Sequence, residues 1–209
     1  MLSQILTEDC FMLDIETTGL STITNAITSV CLVRFNLNTP DLFSSIIDSY
    51  HVRLSTALNT DMLRTNAIET MQFRQDHDIA KYEEQLNVVN TFDELNTDLQ
   101  TYLKQTNLNT RHVFALHTEF DIAFLKGYYS HFARDFPFHY KNISDLPSLI
   151  SGMDLDFKEI RDTVDESNVV TNVGAVLNIP NFEPHNALYD CIRQIAFLRN
   201  ACIQKGIIS

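Results

Sequence analysis

The run Cys10-Phe11-Met12-Leu13-Asp14-Ile15 constrains this chain more than any other stretch. Its apolar residues are continuous rather than alternating, the pattern of a strand buried on both faces. Such a strand belongs in the middle of a sheet. Yet it holds an aspartate near its end, and Glu16 comes two positions later. Side chains alternate along a strand, so Asp14 and Glu16 project from one face. Two carboxylates there are costly to bury unless something pairs them, and a divalent cation is the natural partner. The bland alternative is a solvated strand end. Asp76/Asp78 and Asp154/Asp156 show the same spacing in polar surroundings.

Further along, residues 26–35 and 43–54 are β-rich and give two more strands at the start of the chain. Residues 60–82 have a helical but polar character. Thr91-Phe92-Asp93-Glu94 has the form of a capping box, and Leu95, Leu99 and Leu103 continue it at helical spacing. Residues 112–116 form the fourth expected strand and 120–132 the helix after it. A short fifth strand is expected within 136–143. Short helices are expected at 145–150, 157–164 and 169–177, and Pro180 and Pro184 then interrupt the chain before its last helix. Residues 187–204 give that helix, the clearest of all, with Cys191, Ile195, Leu198 and Cys202 on one face. The order predicts an α/β fold, a mixed five-stranded sheet flanked by helices, with the first strand central. With 209 residues, 44% of them apolar, and no internal repeat, one domain over 1–209 is expected.

No apolar run approaches the roughly eighteen residues of a membrane span. The first basic residue is Arg34, so the charged head of a signal peptide is missing, and a cytoplasmic setting with four reduced cysteines is expected. The formal charge of −12, from 15 Lys and Arg against 27 Asp and Glu, is unlike that of a duplex binder with a basic face. Two readings fit: no nucleic acid, or a short grip on a strand end where bound cations supply the positive charge.

Two further segments carry acids on turns into helices. Asp121 lies in Phe120-Asp121-Ile122-Ala123-Phe124-Leu125, in the first turn of the expected helix. Asp190 lies in His185-Asn186-Ala187-Leu188-Tyr189-Asp190, opening the last helix. Together with Asp14-Ile15-Glu16-Thr17-Thr18-Gly19-Leu20, these segments resemble the three motifs of the DEDDh exonucleases, a DnaQ-like branch of the RNase H-like fold. The resemblance spans residues 10 to about 200. Within the family, the length and the polar insert at 60–82 are similar to a phage exonuclease A.

The resemblance implies a 3′–5′ exonuclease that hydrolyses phosphodiesters from single-stranded or frayed DNA or RNA ends and releases nucleoside 5′-monophosphates. It implies two Mg²⁺ or Mn²⁺ ions held by Asp14, Glu16, Asp121 and Asp190, one preparing the attacking water and one taking up charge on the leaving oxygen. His185 would be the general base, since an imidazole pKa near ~6.5 suits that role. Thr17, Leu20 and Phe120 would meet the terminal nucleotide, Leu20 as an apolar wedge. For Phe120 the core is the stronger alternative. Relatives often carry His-Asn before the second acid, and this chain has His117-Thr118. His117 is read as structural, satisfied inside the fold. Lys126 and Arg193 are candidate phosphate contacts, and Phe73 and Arg74 candidate strand contacts. A polymerase or replisome is a partner class the family admits, a membrane is not, and the oligomeric state is unspecified.

Two rivals remain at this point. A catalytically silent RNase H-like binding subunit would share the fold, although inactive members normally lose an acid. A haloacid-dehalogenase-like phosphatase would share the first motif, with Asp154 and Asp156 as its late acids, but that family wants Asp at position 16.

Overall fold

The protein is described by a computed structural model over residues 8–62, 64–104, 112–164, 169 and 184–208. The strands are β1 (Cys10–Thr17), β2 (Ile27–Phe35), β3 (Ile46–Leu54), β4 (Asn87–Val89), β5 (His112–Ala115) and β6 (Ile143–Asp145). The helices are α1 (Leu42–Ser45), α2 (Thr56–Asp61), α3 (Ile68–Asp76), α4 (Ile79–Glu83), α5 (Phe92–Leu103), α6 (Thr118–His131), α7 (Leu146–Ser151), α8 (Phe157–Asp162) and α9 (Ala187–Gln204). Among the described residues the strands make one six-stranded sheet in the order β4-β3-β2-β1-β5-β6. The β1/β2 and β2/β3 pairs are antiparallel, and the other three pairs are parallel. Only β2 therefore runs against the rest, and β1 is interior as its composition demands.

The mixed α/β sheet matches the sequence reading, with differences in detail. The sixth strand, β4, is three residues of which two are exposed, too short and too polar to register as a hydrophobic pattern. The strand expected within 136–143 forms instead at Ile143–Asp145, after a single 3₁₀ turn at Tyr140–Asn142. The start of the 43–54 stretch goes into α1, where Asp41 accepts the Ser44 N–H and sets a helical turn before the strand. The polar 60–82 stretch divides into three short helices, α2 to α4. The helix expected at 169–177 lies outside the described residues except for Val169. Thr91 and Glu94 do form a reciprocal capping box, and α9 spans 187–204 as expected.

Alternation along β1 sorts the core into two layers. Phe11, Leu13 and Ile15 pack on one face with Leu95 and Leu99 of α5 and Ile122 and Leu125 of α6. Cys10 and Met12 pack on the other with Cys191, Ile195 and Leu198 of α9. The four cysteines are buried and unpaired. Asp14 and Glu16 continue the row that faces α9, carried past the end of the core. Among the described residues, no helix is long and apolar enough to cross a membrane.

Candidate active site

The first acids stand where β1 leaves the core. The pairing register shifts between Glu16 and Thr17, and the chain then turns tightly. Thr17 Oγ1 donates to the Gly19 carbonyl at 2.8 Å. Thr18 Oγ1 donates to the Thr65 carbonyl and accepts the Ala26 N–H, both at 2.8 Å. A Cβ on Gly19 would sit 2.3 Å from Asn25 Oδ1, so any side chain there displaces the Asn25 amide. That same Oδ1 accepts the Ser21 N–H at 2.9 Å. The turn leaves Leu20, four residues after Glu16, 82% exposed.

The other two acids come from helix starts. Asp121, buried in the first turn of α6, is held by backbone N–H groups including that of Ile15, which draws it across the end of β1. Asp190 lies in the first turn of α9, where Asn186 caps the Leu188 and Tyr189 N–H groups. Its Oδ2 accepts the His185 N–H at 3.0 Å, and its Oδ1 lies 3.4 Å from Arg193. Carboxylate oxygens of Asp14, Glu16 and Asp190 fall within 4.8 Å of one another. Asp121 is outside that trio but next to it, and among the neighbouring acids its charge acts most strongly on Asp14.

This arrangement is short of positive charge. Burial pushes the Asp14 carboxyl well above the usual range, and the charges of Asp121, Asp190 and Glu16 push it further, against one opposing hydrogen bond from Gln194. Glu16 is raised chiefly by burial, then by Asp190 and Glu83, with Arg74 opposing. Asp121 is raised to about 7 by burial, despite its backbone hydrogen bonds. All the candidate donors are carboxylate oxygens, which suits hard divalent ions such as Mg²⁺ and Mn²⁺ better than thiophilic metals. The residues fit the ions that the motifs imply.

His185 sits on the loop before α9 with φ of 67°, a conformation rare for a residue with a side chain. Its imidazole is exposed and meets the rings of Phe73 and His77, with centroids 4.8 Å and 5.1 Å away. Partial burial, then the charges of His77 and Arg193, lower its pKa below the ordinary imidazole value.

Residues 9–202 match the family described as the Rv2179c-like 3′–5′ exoribonuclease domain, which is nearly the whole chain. The chain belongs to that family. No curated protein matches the sequence of this Rv2179c-like domain. Among solved structures, cell-death related nuclease 4 (CRN-4) superposes with a TM-score of 0.61 at 15% identity, over 96% of this chain and 65% of that one. The E. coli ExoI–ssDNA complex with bound zinc gives 0.59 at 13% identity, over 94% of this chain and 41% of the other. The nuclease domain of 3′hExo, a DEDDh family member bound to rAMP, gives 0.54 at 14% identity, over 95% and 93%. The Rv2179c-like domain thus spans under half of exonuclease I and under two thirds of CRN-4. These likenesses establish the fold, the RNase H-like α/β sheet that the sequence motifs imply, and the family match makes the chain a 3′–5′ exoribonuclease-type domain.

Some expected roles in the domain need correction. His117 is exposed at the N-cap of α6 and its side chain makes no capping bond, so it is not satisfied inside the fold. Its carbonyl accepts the Phe120 and Asp121 N–H groups and so opens the helix, a backbone role that its sequence context could not distinguish from burial. Arg74 is 4% exposed and turned inward onto Glu83 and Glu16 rather than outward to a strand. Phe120 is partly buried against Phe124 and the core, centroids 4.9 Å apart. Lys126 lies over the Phe136 ring, in a cavity formed by residues 136–142 that holds none of the acids. Asp156 caps α8 through the Glu159 N–H, so this acid offered for a phosphatase serves a helix end. Sequence reasoning missed Gln194, which is buried and donates to Asp14 Oδ1 at 2.8 Å. Its position one turn beyond Asp190 on the same helix face is a signal that could have found it.

Proposed function

We propose that the Rv2179c-like domain removes nucleotides singly from the 3′ ends of single-stranded or frayed nucleic acid and releases nucleoside 5′-monophosphates. RNA is the first candidate substrate, from the family's description. The observation that carries this reading is the gathering of Asp14, Glu16 and Asp190 within 4.8 Å, with Asp121 beside them.

Asp14, Glu16 and Asp190 would hold one Mg²⁺ or Mn²⁺, and Asp14 with Asp121 a second. When bound, two such ions offset the negative charge of the acids and of the phosphodiester, and favour attack by water. The residues do the rest. His185 accepts the proton of the attacking water at an imidazole nitrogen, and its lowered pKa keeps that nitrogen free at neutral pH. Its backbone N–H, fixed to Asp190, ties the base to an acid of the cluster. Gln194 orients the Asp14 carboxylate and leaves its other oxygen available. Leu20 offers an apolar surface to the terminal base. Thr17 has its hydroxyl committed to Gly19, so it contributes through its backbone.

The test is digestion of 5′-labelled single-stranded RNA and DNA in Mg²⁺, Mn²⁺ or chelator, with Asp14→Asn as control. A ladder shortening from the 3′ end, absent in chelator and in the variant, is expected. Tight oligonucleotide binding with no cleavage under any metal would instead favour a silent binding subunit.

A further inference from the structure

A second cavity, of about 940 Å³, opens next to the carboxylate cluster. Arg53, Arg64 and Arg74 line it, together with Thr28, Gln75 and one acid, Glu83, which Arg74 pairs. The sheet register fixes its place. Glu16 pairs with Ser29, and Ser29 pairs with Arg53. Directly opposed residues project from the same face of a sheet, so Arg53 shares the face of the catalytic acids. Two strand spacings put it about 10 Å from Glu16 at the backbone. Arg74 forms the wall between the two sites: it lines the cavity, pairs with Glu83, and lies 3.8 Å from Glu16.

The charges of this cavity are unusual for the chain around it. Arg53 is half-buried, its guanidinium makes no hydrogen bond or ion pair with any described residue, and its Nε is buried without an acceptor. Arg64 donates to the carbonyls of Thr22 and Asn25 and lies over the Tyr128 ring, again with no acidic partner among the described residues. The chain has 27 acids for 15 basic residues, yet the one acid of the cavity, Glu83, is taken by Arg74, and Arg53 and Arg64 have no carboxylate partner among the described residues. A guanidinium N–H removed from water without an acceptor is costly to leave unmade, and the planar fork of arginine matches a phosphate. Hydroxyl and amide side chains around the cavity supply further donors.

We propose that this cavity is a phosphate subsite, with Arg53 its principal donor, and that it takes a backbone phosphate of the bound strand on the 5′ side of the scissile bond. The strand assignment rests on the exonuclease reading; phosphate binding itself does not. The site would let an acidic enzyme hold a polyanion through one local cluster of arginines.

The experiment has two arms. In chelator, with no metal, the full protein is titrated with inorganic phosphate and monitored by thermal melting. Phosphate is expected to raise the melting temperature, Arg53→Gln to abolish the rise, and Arg53→Lys to retain part of it. With Mg²⁺, KM is compared for a 12-mer and a dinucleotide across a salt series. Arg53→Gln is expected to raise the 12-mer KM about tenfold relative to its effect on the dinucleotide, and to reduce the salt slope by about 0.7. Loss of phosphate binding with no change in the 12-mer ratio or slope would overturn the strand assignment and give the site to the phosphate of a separate nucleotide. No phosphate response in the wild type, with 12-mer kinetics of Arg53→Gln equal to wild type, overturns the subsite. A phosphate response in a protein that cleaves nothing retains the subsite and sinks the exonuclease reading instead.

Discussion

Asp121→Asn is expected to make the metal-free protein more stable while removing its activity. The Asp121 carboxyl is 5% exposed and lies beside Asp14, and the fold raises its pKa from 3.8 to about 7. A raised carboxyl pKa means that the folded state resists ionisation. No penalty exists well below 3.8; it grows as pH rises between the two values and is complete above about 7. At about 1.4 kcal/mol per pKa unit, the complete penalty is about 4 kcal/mol. Asparagine keeps an acceptor oxygen for the backbone N–H groups and carries no charge. In chelator, urea unfolding should therefore show the variant more stable than wild type by about 4 kcal/mol at pH 8, and by only about 1 kcal/mol at pH 4.5. Saturating Mg²⁺ should recover more stability in wild type than in the variant, because the ion offsets the same buried charge. A stability gap that does not vary with pH, or a variant less stable than wild type at pH 8, would refute the argument.

The geometry supports three further expectations. His185→Ala should lower kcat by about 10² to 10⁴ with metal affinity nearly unchanged, measured by single-turnover digestion and metal titration. In wild type at saturating Mg²⁺, kcat should rise with pH through a midpoint below 6.5, as His185 gives up its proton, and the variant should lose that limb. Gly19→Ala drives a Cβ into Asn25 and breaks its bonds to Ser21 and Thr65, so a loss of about 2 kcal/mol by thermal melting and a higher KM are expected. Arg74→Met leaves Glu83 buried without its cation and should cost about 3 to 5 kcal/mol in urea unfolding, most of it recovered by adding Glu83→Gln.

Much of the candidate site was legible in the sequence, because each acid sits at a position with a strong local signature. Asp14 and Glu16 end an apolar strand, and Asp121 and Asp190 open amphipathic helices. The sequence could not show how these elements meet. Nothing local says that Arg74 and Glu83, on two polar helices, fold inward to face Glu16. A buried ion pair looks like any two surface charges until the partner surface is known. The reading of His117 failed for a related reason, since a histidine after a strand is compatible with either burial or an exposed helix cap. β4 escaped notice because three mostly exposed residues leave no period, and its pairing to β3 depends on a tertiary neighbour.

The carboxylate cluster joins the first strand to the last helix, and Gln194 reaches Asp14 across 180 positions of sequence. A chain still emerging from the ribosome carries Asp14, Glu16 and Asp121 long before Asp190, and so cannot complete the cluster. The candidate site is therefore assembled only once α9 has been made and packed against β1.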